Sequence, residues 1–182
     1  MPRVYLSLGS NLGDRLALLR AAVDHLRRAA DVRFLDASSL YETEPWESEP
    51  GTLRTERRWF LNCAVVIETA LAPERVLELV QAIERTLGRP PRTETPEAGR
   101  FLPRTLDIDI LLYGDQVVSV PDRLQVPHLL LHERAFVLRP LAELAPEAEH
   151  PVLYRTVREL LAEVEDEHQV QPGAYPSRWF DG

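Results

Sequence analysis

The segment order strand, helix, strand, strand, helix, strand predicts an α+β sandwich, an antiparallel sheet with both helices on one face. Three observations carry this. Strand-like runs alternate apolar and polar residues, two intervening runs repeat apolar residues at helical spacing, and turn residues separate them. This is the βαββαβ, or ferredoxin-like, pattern. It leaves the second face of the sheet open for a site.

The elements follow in order. Val4, Leu6 and Leu8 alternate with Tyr5 and Ser7 as a first strand. Gly9-Ser10-Asn11-Leu12-Gly13-Asp14 is a loop whose Asp14 suits a helix N-cap, and Leu16, Leu19, Val23 and Leu26 mark one face of the helix that follows. Val32 to Tyr41 reads as a second strand. In the third, from Trp59 to Thr69, Trp59, Leu61, Cys63, Val65 and Ile67 share one face, and Phe60, Asn62, Ala64 and Val66 the other. Pro73 opens a second helix carrying Val76, Leu79, Val80, Ile83 and Leu87, which ends at Gly88. The fourth strand is Leu106-Asp107-Ile108-Asp109-Ile110-Leu111-Leu112, and Gly114-Asp115 is expected to turn it into a short partner at Gln116-Val117-Val118. Short helices are expected near Leu131–Arg139 and over Thr156–Val164, the latter with a Thr156/Glu159 capping box. One domain over 1–166 is expected, followed by an irregular tail over 167–182.

Composition narrows the function classes. The 182 residues carry 45% hydrophobic and 27% charged residues, ordinary for a water-soluble globular protein. No apolar run approaches membrane-spanning length and the N-terminus lacks signal-peptide features, so no membrane and a cytoplasmic location are expected. A formal net charge of -8 argues against a nucleic-acid partner. All 21 basic residues are arginine, which excludes a Walker A lysine and Schiff-base chemistry; any phosphate must be met by guanidinium groups. The single cysteine, Cys63, sits in an apolar strand and reads as a small buried hydrophobe.

Asp107 and Asp109 are the sharpest chemical signal. Two apart on a strand, they point the same way, about 6.5–7 Å apart along the chain, which suits Mg²⁺ shared with substrate phosphates. The competing interpretation is a solvated, charged sheet face. Arg85, Arg89, Arg92, Arg100 and Arg104 cluster between the second helix and this strand, as a polyphosphate–Mg²⁺ complex requires, although cations also suit a helix C-terminus. Phe60 shares its face with Asn62, an aromatic platform beside an amide that suits a flat nitrogenous ring. The irregular stretches 42–58 and 88–103 are expected to act as lids. His128 and His132 have i, i+4 spacing; with no third ligand nearby, zinc is disfavoured and a phosphate contact from His128 preferred. These residues fit a phosphoryl transferase, a Mg²⁺-dependent nucleotidyltransferase, or a non-catalytic small-molecule-binding domain.

Five blocks in order choose among these: Leu8-Gly9-Ser10-Asn11-Leu12-Gly13; Tyr41-Glu42-Thr43-Glu44-Pro45; Phe60-Leu61-Asn62; Pro103-Arg104-Thr105-Leu106-Asp107-Ile108-Asp109-Ile110; and Val126-Pro127-His128 with Arg134-Ala135-Phe136. From about residue 3 to 145 the chain resembles the 6-hydroxymethyl-7,8-dihydropterin pyrophosphokinases of folate biosynthesis. The resemblance implies transfer of pyrophosphate from ATP to the pterin alcohol, releasing AMP, with two Mg²⁺ ions on Asp107 and Asp109 and a monomeric enzyme. It places the pterin between Phe60 and Phe136, with Thr43 and Asn62 reading its edge and Pro45 and Trp46 lining the pocket. It assigns ATP to Gln81, Glu84, Arg89, Arg104, Ile110, Arg123, His128 and Arg134, and catalysis to Arg89, Arg92 and Arg104 besides the two aspartates. Arg92 and Arg100 both fit the second loop arginine. The chain departs from the family pattern at Phe101-Leu102, where Trp-Gly is usual, at Trp46-Glu47, and at Leu129, where an aromatic is common.

Overall fold

The computed structural model describes residues 1–51, 58–89 and 105–181. Strand β1 (Arg3–Ser10) leads to α1 (Arg15–Arg28), whose first turn is capped by Asp14 accepting the Ala17 N–H at 3.0 Å. Strands β2 (Val32–Ala37), β3 (Tyr41–Thr43) and β4 (Phe60–Thr69) precede α2 (Pro73–Thr86) and β5 (Asp107–Tyr113). Gly88, at φ 90°, ends α2 in the left-handed region that favours glycine. Beyond lie β6 (Val118–Val120), β7 (Leu124–Val126), α3 (Ala135–Leu144), β8 (Glu149–His150), β9 (Arg155–Thr156), α4 (Val157–Glu163) and β10 (Val170–Pro172). The main sheet runs β10-β3-β4-β1-β5, with β2 also on β4, and every pairing is antiparallel. The βαββαβ order and its ferredoxin-like sheet are therefore as the sequence predicts.

Helices α1 and α2 cover one face, where Leu19, Val23, Val76, Val80 and Ile83 pack on Leu6, Leu8, Leu61, Val65, Ile108 and Ile110. Cys63 belongs to this core, and burial pushes its thiol well above its ordinary range. The opposite face, which the sequence reading leaves open, is partly covered. Tyr5, Ala64, Val66, Leu111 and Leu112 form a second core with Val137, Leu138 and Leu141 of α3 and Leu160 of α4. A register shift makes this possible: Leu6 pairs with Ile110 but Tyr5 with Leu112, so Leu111 is an extra residue that bends β5. The uncovered remainder of that face carries the candidate site.

Four other expectations are corrected. The second strand breaks at Ser38–Leu40, because the Ser38 hydroxyl accepts the Ala64 N–H at 2.9 Å and its carbonyl accepts Trp179 Nε1–H at 2.8 Å. After the Gly114 turn, β6 pairs with β7 rather than with β5. The helix expected near Leu131–Arg139 is a 3-10 turn, Leu131–Glu133, followed by α3, which continues past Pro140 to Leu144. The capping box of α4 forms as read. The tail is not irregular. Strand β10 extends the sheet beyond β3, and the 3-10 turn Trp179–Asp181 packs on α1. Arg20 Nε donates to the Trp179 carbonyl at 2.6 Å and Arg27 to the Phe180 carbonyl at 2.9 Å. Among the described residues, no helix is long and apolar enough to cross a membrane.

Trp179 is 0% exposed and its indole N–H is hydrogen-bonded, so it is an anchor rather than a loose end. Trp179→Ala should lower unfolding free energy by about 3–5 kcal/mol, the range for emptying a buried aromatic site, as measured by urea denaturation. A loss below about 1 kcal/mol would show that the C-terminal segment is held by little more than surface contact.

Candidate active site

Strand β1 lies between β4 and β5, and its register builds the site. Gly9 pairs with Asn62 on one side and Asp107 on the other; Ser7 pairs with Ala64 and Asp109. Paired residues share a face, so Asn62, Asp107 and Asp109 project together around a strand that carries only a hydrogen and a small hydroxyl there. Asn62 and Asp107 stand two strand spacings apart, about 9.5 Å. A β-carbon on Gly9 would lie 2.3 Å from Asn62 Oδ1. The Asn62 amide is buried and aimed, its Nδ2–H donating to Thr43 Oγ1 at 2.7 Å.

These residues floor a cleft of about 460 Å³ walled by Phe60, Trp46 and Phe136. The Trp46 and Phe136 ring centroids are 6.4 Å apart, and the Arg134 guanidinium lies 5.4 Å from the first and 5.6 Å from the second. Pro45 is buried behind this wall. Its carbonyl accepts the Ser48 N–H at 2.9 Å, closing the turn that presents Trp46.

Asp107 and Asp109 stand at one end of the cleft. Glu84, reaching over from α2, accepts the N–H of Ile108, the residue between them, at 2.8 Å and also binds Arg89. The Arg89 guanidinium reaches on to Asp107 at 2.5 Å. All three side chains are largely buried, a setting in which charges persist only when paired. The described residues hold no group of three or more His, Cys, Asp or Glu able to cage a metal. Two adjacent carboxylates on a cleft floor instead fit Mg²⁺ that arrives with phosphate oxygens and keeps part of its water.

A second cleft of about 180 Å³ adjoins the first and shares Asp109, His128 and Leu129 with it. Gln81, Glu84, Ile110 and Arg123 line it, with Leu77 and Leu124 as apolar surface. His128 sits in a turn rather than a helix, its Nδ1 accepting the Leu130 N–H at 3.3 Å, which leaves the ring proton on Nε2. His132 instead lies against His150, ring centroids 6.2 Å apart, so the spacing of His128 and His132 makes no metal pair.

The structure thus gathers Thr43, Trp46, Phe60, Asn62 and Phe136 in the first cleft and Gln81, Glu84, Ile110, Arg123 and His128 in the second, with Asp109 common to both. Arg134, which the resemblance assigns to ATP, lines the first cleft. Arg92, Arg100, Arg104 and Phe101-Leu102 lie outside the described residues, as do 52–57 of the first expected lid and 90–103 of the second. The sequence reading missed Ser7, Gly9 and Glu44 as lining residues. For Gly9 the signal was available only as a side-chain-free position on a strand whose neighbours were not yet known.

Residues 5–146 match the family described as 7,8-dihydro-6-hydroxymethylpterin-pyrophosphokinase (HPPK). The chain is 44% identical over 165 residues to 2-amino-4-hydroxy-6-hydroxymethyldihydropteridine pyrophosphokinase of Methylorubrum extorquens, covering 91% of this chain and 95% of that protein. It is 45% identical over 145 residues to the protein of the same name from Bacillus subtilis, covering 80% and 79%. The crystal structure of a Plasmodium falciparum HPPK-DHPS triple mutant with STZ-DHP shares the fold, with a TM-score of 0.67 at 18% identity. That match covers 89% of this chain, which spans only 43% of the longer Plasmodium chain. On its sequence and its fold, the chain belongs to the 7,8-dihydro-6-hydroxymethylpterin-pyrophosphokinase family.

Proposed function

We propose that the two adjoining clefts bind 6-hydroxymethyl-7,8-dihydropterin and ATP, and that pyrophosphate passes from one to the other across Asp107 and Asp109. The observation that carries this reading is the shared boundary: Asp109 and His128 line both clefts. A donor and an acceptor lying in them meet at the carboxylates.

In this reading the pterin stacks between Phe60 and Phe136, with Trp46 closing the side, and presents its amide edge to Asn62 and Thr43. The distance from Asn62 to Asp107, about 9.5 Å across two strand spacings, lets a bicyclic ring read at one end deliver its hydroxymethyl group to the other. The adenine rests on Leu77, Ile110 and Leu124, with Gln81 and Arg123 at the polar rim. The hydroxyl oxygen attacks the β-phosphorus of ATP, the bond from that phosphorus to the oxygen bridging it to the α-phosphorus breaks, and AMP leaves. The hydroxyl proton is released to solvent. Two Mg²⁺ ions on Asp107 and Asp109 would neutralise the polyphosphate and acidify the hydroxyl. Arg89 and Glu84 hold Asp107 in place and balance its charge, and His128 Nε2–H is a donor for a phosphate oxygen. Arg92 and Arg104 are assigned to the transferred group by resemblance alone.

Incubation with ATP, Mg²⁺ and hydroxymethyldihydropterin should yield AMP and pterin diphosphate in equal amounts by nucleotide chromatography, and EDTA should abolish both. Free inorganic pyrophosphate in place of the pterin diphosphate would contradict the reading and favour nucleotidyl transfer. Asp109→Ala should lower kcat by about 10²–10³-fold, the scale for losing one electrostatic element of a transition state. Gly9→Ala places a methyl group against Asn62, and overpacking costs ~1–3 kcal/mol. It should therefore raise KM for the pterin by about tenfold and leave KM for ATP within about twofold; equal rises in both would place the pterin elsewhere.

A further inference from the structure

Asp166 and His168 lie beyond the family-matched residues 5–146 and are absent from the site read in the sequence, yet they reach the first cleft from behind. The His168 ring sits 5.3 Å from that of Trp46, on the wall of the cleft. Its Nδ1 meets Asp166 Oδ1 at 2.6 Å and its Nε2 meets the Ser48 carbonyl at 2.8 Å. A carboxylate and a carbonyl only accept, so a ring holding both bonds must donate from both nitrogens. Asp166 Oδ2 meanwhile accepts the N–H of Ala135 at 2.8 Å, at the start of α3, one residue before Phe136. One short unit therefore ties the Trp46 turn to the helix that carries Phe136, the ring next to Trp46 in the wall. Just beyond it, the Glu44 N–H donates to the Gln169 carbonyl at 3.0 Å and Glu44 Oε2 accepts the Gln169 N–H at 2.7 Å.

We propose that His168 is a positioning residue for the pterin: braced between Asp166 and the Ser48 carbonyl, it fixes Trp46 against the cleft and so sets affinity for the ring substrate. This rests on the reading that the first cleft takes the pterin. The charged groups around the ring are Asp166 on its own segment and Glu44 just after β3, with Arg134 5.4 Å from the Trp46 ring centroid. Burial alone would lower the His168 pKa, but the Ser48 carbonyl, Asp166 and Glu44 together raise it above the ordinary 6.5. A raised imidazole pKa means that the brace is complete at lower pH, and that one of its two bonds is lost as pH rises through the folded value.

Steady-state kinetics of His168→Ala and His168→Gln test the proposal. His168→Ala should raise KM for the pterin by about tenfold, the scale of one charge-assisted hydrogen bond, with kcat and KM for ATP within about twofold. His168→Gln keeps a donor for Ser48 and should fall between the alanine variant and wild type. The wild-type pterin KM should rise as pH passes upward through the raised His168 pKa, above 6.5, and that rise should vanish in His168→Gln. If His168→Ala does not fold, the glutamine variant and the wild-type pH profile carry the test. An unchanged pterin KM in the variants, or a parallel rise in KM for ATP, would overturn it. NMR titration of the His168 ring needs no turnover: it should titrate above 6.5 and move down in Asp166→Asn. If wild type makes no AMP with the pterin, the functional reading fails by itself. A ring that titrates near 6.5 and ignores Asp166→Asn overturns the brace whichever way the turnover assay falls.

Discussion

At Gly9 strand β1, which lies between β4 and the edge strand β5, has no side chain, and a β-carbon there would stand 2.3 Å from Asn62 Oδ1. That gap decides what the sheet can bind. With strand neighbours on either side, Asn62 and Asp107 frame a lane over β1 that is bare at Gly9 and carries only the small Ser7 hydroxyl beyond it. A flat ring can lie in it with its edge at the amide and its reactive arm at the carboxylates. A larger residue at Gly9 would split the lane and displace Asn62, whose amide is already committed to Thr43. In the proposed reading, ring recognition and phosphate chemistry are thus coupled by register, the least adjustable property of a sheet with a buried face.

The carboxylate end needs a second constraint, since acidic groups at the start of a buried strand must be aimed and kept ionised. Glu84 supplies the aim by accepting the Ile108 N–H, and with Arg89 it forms an alternating charge series that ends on Asp107. Because Glu84 belongs to α2, whose apolar face packs on the sheet, the helix that stabilises the core also sets the position of the candidate metal ligands. The aromatic end is built differently. Trp46 and Phe136 come from a turn and a helix remote in sequence, and the segment around Asp166 and His168 ties the two together.

Periodicity made the main elements legible as far as the Asp107–Asp109 strand. The apolar alternation of Val4, Leu6 and Leu8, the helical spacing from Val76 to Leu87 and the Asp107–Asp109 strand each repeat one face, and each forms where the pattern places it. The site residues were legible mainly through their motif blocks, and the clefts gather them from distant elements. Three features were not legible, for physical reasons. The extra residue Leu111 shifts which side chains face α3, and a bulge leaves no mark in an apolar run such as Ile110-Leu111-Leu112. The break at Ser38 follows from a hydrogen bond to Trp179, 141 residues away. The C-terminal segment docks through single anchors, Trp179 and Phe180 on α1 and His168 behind Trp46, and isolated anchors produce no period to detect.

The most direct test of the central claim, that one lane of the sheet joins a ring site to a polyphosphate site, is a crystal structure with Mg²⁺, a non-hydrolysable ATP analogue and hydroxymethyldihydropterin. It should show the pterin edge on Asn62 and its hydroxymethyl oxygen directed past Gly9 toward Asp107 and Asp109. The metal should lie between those carboxylates and the phosphates, with the adenine on the Leu77–Ile110 side. Metal bound away from both aspartates, or adenine and pterin competing for the same cleft, would contradict it.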